Sequence, residues 1–386
     1  MSSPLFRLTL VLFVSLAALP GCALLESRVD EPAVAAPEPE PIVEPVAPAD
    51  RNRFELSYPG QSVVGELQRV TVEGENTLSD LAREYGLGFD EIVAANPEVD
   101  PWLPGVGTEV LLPTQYVLPD ASRSGIVLNV ASKRLFYYPP VVQGEFPVVY
   151  TFPIGIGRVG WETPTGVTEV IDKARDPNWY VPASVRKEHA AAGNPLPAVV
   201  PPGPDNPLGR YVLKLDMPGY LIHGTNQPYG VGMRVSHGCV RLYPENIEFL
   251  YPQIGRGEAV WIVNEPYLVG ERDGQLYFEA HAPLEDDVVP AGERLTAALS
   301  AFTARHRVRI PERAERHIET LAADAGGFPL RVYAYDAAEY AARAVPVINT
   351  VEPDPEAPTL AEVREMIDAA VAEEDTAASP AGNLAE

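Results

Sequence analysis

Hydrophobic periodicity changes along the chain, and each change predicts a different kind of segment. A mainly apolar run covers residues 8–19 behind Arg7. Residues 31–50 have no periodicity at all, with Pro alternating with Ala, Glu and Val. A strand-like stretch over 69–72 then meets a turn at Gly74, and Thr77 is placed to cap a helix. Leu78, Leu81, Ala82 and Tyr85 follow at helical spacing. A second helix is predicted over 89–95 with Ile92 and Val93 turned inward. Asn96-Pro97 ends it, and residues 110–112 supply a closing strand. This β-α-α-β order makes 68–114 the first folded unit.

From 125 to 263 the apolar residues gather in short runs rich in β-branched and aromatic side chains. Strands are predicted over 126–130, 134–138, 148–154, 168–171, 211–215, 219–223 and 259–263, separated by Gly and Pro, as in an antiparallel β-rich domain. Beyond it, 275–280 and 330–335 read as strands and 291–303 and 311–324 as helices, an α+β extension over 264–346. The acidic tail, 347–386, carries Thr359 and Glu362 in a capping-box pattern. Leu360, Val363, Ile367 and Val371 lie at helical spacing behind it.

Composition sharpens this picture. At 386 residues the chain predicts more than one folded unit, and its 41 prolines require extended or linker-like stretches. A net charge of −25 argues against nucleic acid as a partner, since phosphate binding needs clustered Lys and Arg. The run over 8–19 is too short to span a bilayer; with Arg7 before it and small residues after it, residues 1–21 describe an export signal. Leu19-Pro20-Gly21-Cys22 resembles the lipobox of bacterial lipoproteins, which implies lipidation of Cys22. Residues 22–67 would then be a semi-rigid tether of polyproline II character. The chain has two cysteines, Cys22 and Cys239. A lipidated Cys22 leaves Cys239 as a free thiol in an exported protein, which calls for an explanation.

The thiol lies in Ser236-His237-Gly238-Cys239-Val240-Arg241, after a His-Gly-Thr-Asn turn that begins at His223. A thiol attacks as thiolate and needs a nearby base or cation. His237 and His223 both precede Cys239 and are candidates for that base. Gly238 permits a tight turn in which the amides of Gly238 and Cys239 converge as an oxyanion hole. Arg241 suits a bidentate grip on a substrate carboxylate. His223, His237 and Cys239 are also of the types that bind zinc, but no CxxC or HxxxH pair accompanies them, so no metal is expected. His189, His281, His306 and His317 read as surface or packing residues.

HGTN followed by SHGCVR resembles the signature of the L,D-transpeptidase catalytic domain. Upstream, PIGIGRVGWETPTG is similar to that family's glycine-rich strand–turn. DPNWYVPASVRKEH and LPAVVPPGPDNPLG are similar to the insert that frames its substrate cleft. GENTLSDLAREYGLGFDEIVAANPEVD resembles a LysM module, with Glu75-Asn76 where an Asp usually precedes the Thr. The resemblance implies a multidomain protein: a small β-α-α-β LysM module (68–114), a mainly-β catalytic domain (125–263) and an α+β C-terminal extension. The order of parts is similar to the proteobacterial subgroup that attaches an outer-membrane lipoprotein to peptidoglycan. Carried onto this chain, Cys239 is the nucleophile and His223 the general base, oriented by the Gly224 carbonyl. His237 supports the site and the developing oxyanion, Ser236 and Arg241 shape the donor pocket, and Tyr220 lines the cleft.

The implied reaction is a pair of acyl transfers without cofactor. A peptidoglycan tetrapeptide stem loses its terminal D-alanine to form a thioester, which an amine then takes. The amine would be a lysine of an outer-membrane lipoprotein or a second stem, giving a 3-3 cross-link. The setting implied is the periplasm, with a lipid anchor in the outer membrane. Two other readings compete: an L,D-carboxypeptidase, with water as acceptor, and a wall-binding anchor in which catalysis has lapsed.

Overall fold

A computed structural model of the chain describes residues 51–58, 60–333 and 337–352. The export signal, Cys22, the Pro-rich 31–50 and the capping box at Thr359 and Glu362 lie outside the described residues, as does the end of the strand expected over 330–335.

Among the described residues, nine strands form the main sheet. Their order is Arg53–Glu55, Val148–Pro153, Arg134–Tyr138, Gly125–Asn129, Ala259–Val263, Gly166–Arg175, Tyr211–Leu215, Leu221–His223 and Val240–Arg241. Two features depart from the sequence reading. First, the sheet is mixed: Ala259–Val263 runs parallel to Gly125–Asn129, and Val240–Arg241 runs parallel to Leu221–His223. Second, the tether expected over 22–67 stops short. Residues 53–55 and 63–65 are strands, because Phe54, Leu56, Val63 and Val64 supply apolar side chains that pack into or against the cores.

The strand Gly166–Arg175 holds the two halves of the sheet together. Its first residues pair with Ala259–Val263, and from Val170 onward it is bonded to Tyr211–Leu215, with a register shift between Val170 and Asp172. An irregularity of that kind bends a strand and increases local twist. Central strands bury both faces. Ile126, Leu128, Leu135 and Tyr137 enter one core, while Val127, Phe136 and Tyr138 enter another. This explains why these runs read as continuous apolar stretches rather than alternating ones.

The second core also holds residues 68–114. The strands Gln68–Thr71 and Glu109–Leu112 flank the helices Leu78–Glu84 and Phe89–Ala95, in the predicted order. Thr77 and Asp80 form a reciprocal capping box at the first helix. Asn96 ends the second, its amide donating to the carbonyls of Ile92 and Leu111 while its oxygen accepts from the Leu111 amide. Val70, Leu78, Leu81 and Ile92 pack in one cluster with Val127, Phe136 and Val149 of the main sheet. A third strand, Val345–Val347, joins Gln68–Thr71 in parallel.

Beyond the main sheet, Tyr267–Arg272, Gln275–Ala280 and Leu330–Arg331 form a small antiparallel sheet covered by the helices Ala291–His306 and Glu312–Asp324. Phe278, Phe302, Ile318 and Leu321 make its core, which also takes in Leu67.

A buried ion pair fastens residues 68–114 to the sheet. Arg134, 1% exposed, donates to both Glu91 carboxylate oxygens at 3.2 Å, to the Gly86 carbonyl at 2.7 Å and to Thr151 Oγ1 at 3.2 Å. Its guanidinium also sits 4.0 Å from the Tyr116 ring centre. Burial pushes the Glu91 carboxyl up, and Arg134 and the Gly88 amide pull it the other way. Such a pair adds little over an apolar isostere, but losing one partner strands a buried charge. Arg134→Ala is therefore expected to cost about 3–5 kcal/mol in chemical denaturation, and Arg134→Met with Glu91→Leu clearly less. Equal losses for the single and double variants would show that the pair does not act as a unit.

Candidate active site

The site is built where Leu221–His223 meets Val240–Arg241. The pairing is parallel, Ile222 with Val240 and His223 with Arg241. In-register residues of neighbouring strands point to the same face, and side chains alternate along each strand. Ile222 and Val240 therefore enter the core together, at 0% and 1% exposure. His223 and Arg241 share the opposite face, and extending the register by one residue puts Cys239 beside Leu221 on that face. Cys239 then lies two residues before Arg241, the in-register partner of His223.

The other side of the Cys239 segment is held by the glycine-rich turn. Arg241 exchanges both backbone hydrogen bonds with Gly155 at 2.9 Å, and the Arg158 amide donates to the Ser236 carbonyl at 3.0 Å. Thr163 Oγ1 donates to the Gly238 carbonyl at 2.9 Å and accepts from the Gly157 amide at 3.0 Å.

Gly238 has φ +97°, a conformation that side chains disfavour. A β-carbon there would also lie 2.9 Å from Tyr220 Cε1. The half-buried Tyr220 ring thus packs directly on the turn that presents the thiol.

His223 is buried at 3% exposure, and its Nδ1 donates to the Gly224 carbonyl, N···O 2.6 Å. The ring is then the tautomer with a bare Nε2. Burial, reinforced by the nearby Arg241 charge, pushes its pKa down to about 3, while the Gly224 and Leu208 backbone acts the other way. The imidazole is neutral at ordinary pH and free to accept a proton. The partly buried Cys239 thiol donates to the Gly219 carbonyl at 3.6 Å. Burial pushes this thiol up, against the opposing pull of the Leu221 amide and Arg241. Arg241 is itself pushed down by burial. Among the described residues its buried Nε has no hydrogen-bond partner and no carboxylate pairs with the guanidinium.

Ser236 and Gly238 depart from expectation together. Ser236 Oγ donates to the Cys239 carbonyl at 2.5 Å and accepts the Gly238 amide at 3.2 Å. The Gly238 N–H is therefore taken and does not converge with that of Cys239 as an open oxyanion donor. It fixes the turn instead.

His237 meets the insert helix and the glycine-rich turn. Its Nε2 lies 3.2 Å from Glu188 Oε2 and 3.2 Å from Arg158 Nη2, and the Trp161 ring meets it edge-on at 4.9 Å. His189, read from sequence as a surface or packing residue, has its ring 6.3 Å from that of His237. Glu188 and His189 lie on the insert helix Ala183–Ala191. Sequence reasoning passed over Arg158, Thr163 and Glu188, although all three fall within the segments whose resemblance to the family was noticed. Among the described residues, no group of three or more His, Cys, Asp and Glu side chains is arranged to hold a metal ion.

Residues 123–262 match the family described as the L,D-transpeptidase catalytic domain. YcfS of Escherichia coli, named a probable L,D-transpeptidase, is 43% identical over 247 residues, covering 62% of this chain and 76% of that protein. YbiS of the same organism, also named a probable L,D-transpeptidase, is 45% identical over 235 residues, covering 60% and 75%. ErfK/SrfK, of that organism and named likewise, is 42% identical over 244 residues, covering 61% and 77%.

The electrostatics predict how the thiol titrates. Alkylation of Cys239 by iodoacetamide, followed by peptide mass spectrometry, should rise with a midpoint above the ~8.5 of a free thiol. Arg241→Ala should move the midpoint higher still, since a cation that favours thiolate is lost. A midpoint well below that of a free thiol would mean that the site stores a preformed thiolate.

Proposed function

The chain belongs to the L,D-transpeptidase family, and from that premise we propose that it works on peptidoglycan through a thioester at Cys239. The observation that supports this reading is the parallel strand pair, which sets His223 beside Arg241 in register, with Cys239 two residues before Arg241 on the same segment.

In the first half-reaction the thiol attacks the carbonyl of the third residue of a tetrapeptide stem. Its proton passes to the bare Nε2 of His223, which the Gly224 carbonyl holds in the required tautomer. The amide bond to the terminal D-alanine breaks, and the imidazolium returns the proton to the leaving amine. In the second half an acceptor amine attacks the thioester, gives a proton to His223 and releases the thiol. Two steps conserve the energy of the amide bond without ATP or metal. Arg241, with no carboxylate partner among the described residues, is suited to a stem carboxylate. Tyr220 and Ser236 shape the turn that presents the thiol.

The acceptor we favour is a lysine on an outer-membrane lipoprotein, with a second stem as the other amine. Three further parts belong to the same proposal. Residues 68–114 are a LysM module that holds wall glycan, Cys22 carries a lipid anchor, and the protein works in the periplasm at the outer membrane. A carboxypeptidase, with water as acceptor, would share the first half-reaction; free tripeptide stems without amine-joined products would identify it.

The deciding measurement is intact-mass spectrometry of the chain with a disaccharide-tetrapeptide, beside Cys239→Ala. An adduct lacking D-alanine, or release of D-alanine, is expected only with the cysteine present. If neither appears and a carbapenem also fails to acylate Cys239, the wall-binding reading without catalysis becomes the better one.

A further inference from the structure

The polar cluster around His237 is not used by the chemistry just described. Its members come from separate parts of the chain: Arg158 from the glycine-rich turn, Glu188 and His189 from the insert helix, and His237 from the Cys239 segment. Arg158 Nη2 pairs with Glu188 Oε1, and His237 Nε2 approaches Glu188 Oε2 and Arg158 Nη2 equally, at 3.2 Å. Trp161 closes one edge of the ring. The cluster therefore clamps the insert onto the segment that carries the nucleophile.

The two neighbours of Nε2 make opposite demands. A carboxylate only accepts and a guanidinium only donates. If Nε2 carries the hydrogen, it bonds to Glu188, and Nδ1 is left as an acceptor. If Nε2 is bare, it accepts from Arg158, and Nδ1 must carry the hydrogen. A single nitrogen cannot satisfy both. Arg158 already has a partner in Glu188, whereas an N–H to a carboxylate is a charge-assisted bond. The balance favours the Nε2–H form. We propose that Glu188 is a positioning residue for the acyl transfer, fixing the tautomer and orientation of His237 and closing the insert against the Cys239 segment. This rests on Cys239 being the nucleophile.

The charged and titratable groups facing His237 are Arg158, Glu188 and His189, with Cys239 on its own segment. Burial pushes the His237 ring down, Arg158 adds to that push, and Glu188 opposes it. Glu188 is itself partly buried, which works against ionisation, yet Arg158 and His237 hold its carboxyl below the usual range. Removing the carboxylate charge must lower the proton affinity of His237.

The test uses the full chain with Glu188→Gln, Glu188→Asp and Glu188→Ala. D-Alanine release is followed against pH, and histidine tautomers are read from 15N spectra. Wild type should show His237 protonated at Nε2. Glu188→Gln should lose roughly tenfold or more in rate, the order of loss expected when a group beside the reacting atoms is no longer held in place. Its acid limb should move to lower pH, and Glu188→Asp should restore the wild-type limb. An unchanged rate and limb in Glu188→Gln overturns the proposal. So does a rate loss that tracks a fall in melting temperature, with the tautomer and the limb unmoved. Release of D-alanine by Cys239→Ala would instead overturn the cysteine reading beneath it.

Discussion

The site depends on a very short parallel ladder, two residue pairs long, between Leu221–His223 and Val240–Arg241. Register there decides everything, because a slip of one residue exchanges the faces of a strand. A slipped Val240–Arg241 would drive Arg241 into the core and turn Val240 out beside His223. The core prevents this, since Ile222, Val240 and Leu242 are fully buried on the far side. So does the second edge, where Arg241 exchanges two backbone bonds with Gly155. Gly238 completes the constraint with a backbone conformation that only glycine adopts readily, under a tyrosine ring that leaves no room for a β-carbon. The thiol is thus aimed by a hydrophobic core, a strand edge and a turn acting together.

The same frame reaches into residues 68–114. A β-carbon on Gly232 would lie 2.3 Å from the Gly88 α-carbon, so the chains touch backbone to backbone. The Phe89 amide donates to the Val231 carbonyl beside that contact. Gly232 lies just before the Cys239 segment, and Gly88 caps the helix that contributes Glu91 to the buried pair with Arg134. On the proposed reading, a module that holds glycan is rigidly continuous with the loop that presents the nucleophile. Where the wall is gripped then fixes where the stem must enter.

Much of this was legible along the chain. The strands Arg134–Tyr138, Tyr211–Leu215, Ala259–Val263 and Gln275–Ala280 have the expected ends, and so does the helix Phe89–Ala95. Local signals carried them: β-branched runs between Gly and Pro, a capping Thr77, a terminating Asn96-Pro97. Partners in space were not legible. Nothing local distinguishes a parallel from an antiparallel neighbour, and the parallel pairs here join residues far apart in sequence. The strands at 53–55 and 63–65 were hidden by the proline-rich stretch before them. In the site, the residue types of Cys239, His223 and Arg241 suggested the chemistry proposed for them. Glu188 did not, because a lone Glu on a polar helix looks like any solvated residue until the fold brings His237 to it. The Gly238 amide was misjudged for a similar reason, since the competing acceptor is a serine hydroxyl two residues away.

On the proposed reading, the charges around His223, Cys239 and Arg241 bear on when the site becomes reactive. Burial keeps His223 neutral and the thiol protonated, so the resting pair carries no charge separation. Arg241 acts on both members, disfavouring imidazolium while favouring thiolate. A substrate carboxylate settling on Arg241 would cancel much of that field, since opposite charges in contact offset each other at a distance. The penalty on imidazolium would fall at the moment when a carbonyl is present to be attacked. The thiolate would lose some support, but the developing oxyanion, not a resting thiolate, is where the charge must go. On the proposed reading, a site arranged in this way would keep its cysteine unreactive while empty and ease proton transfer to His223 once a stem is bound.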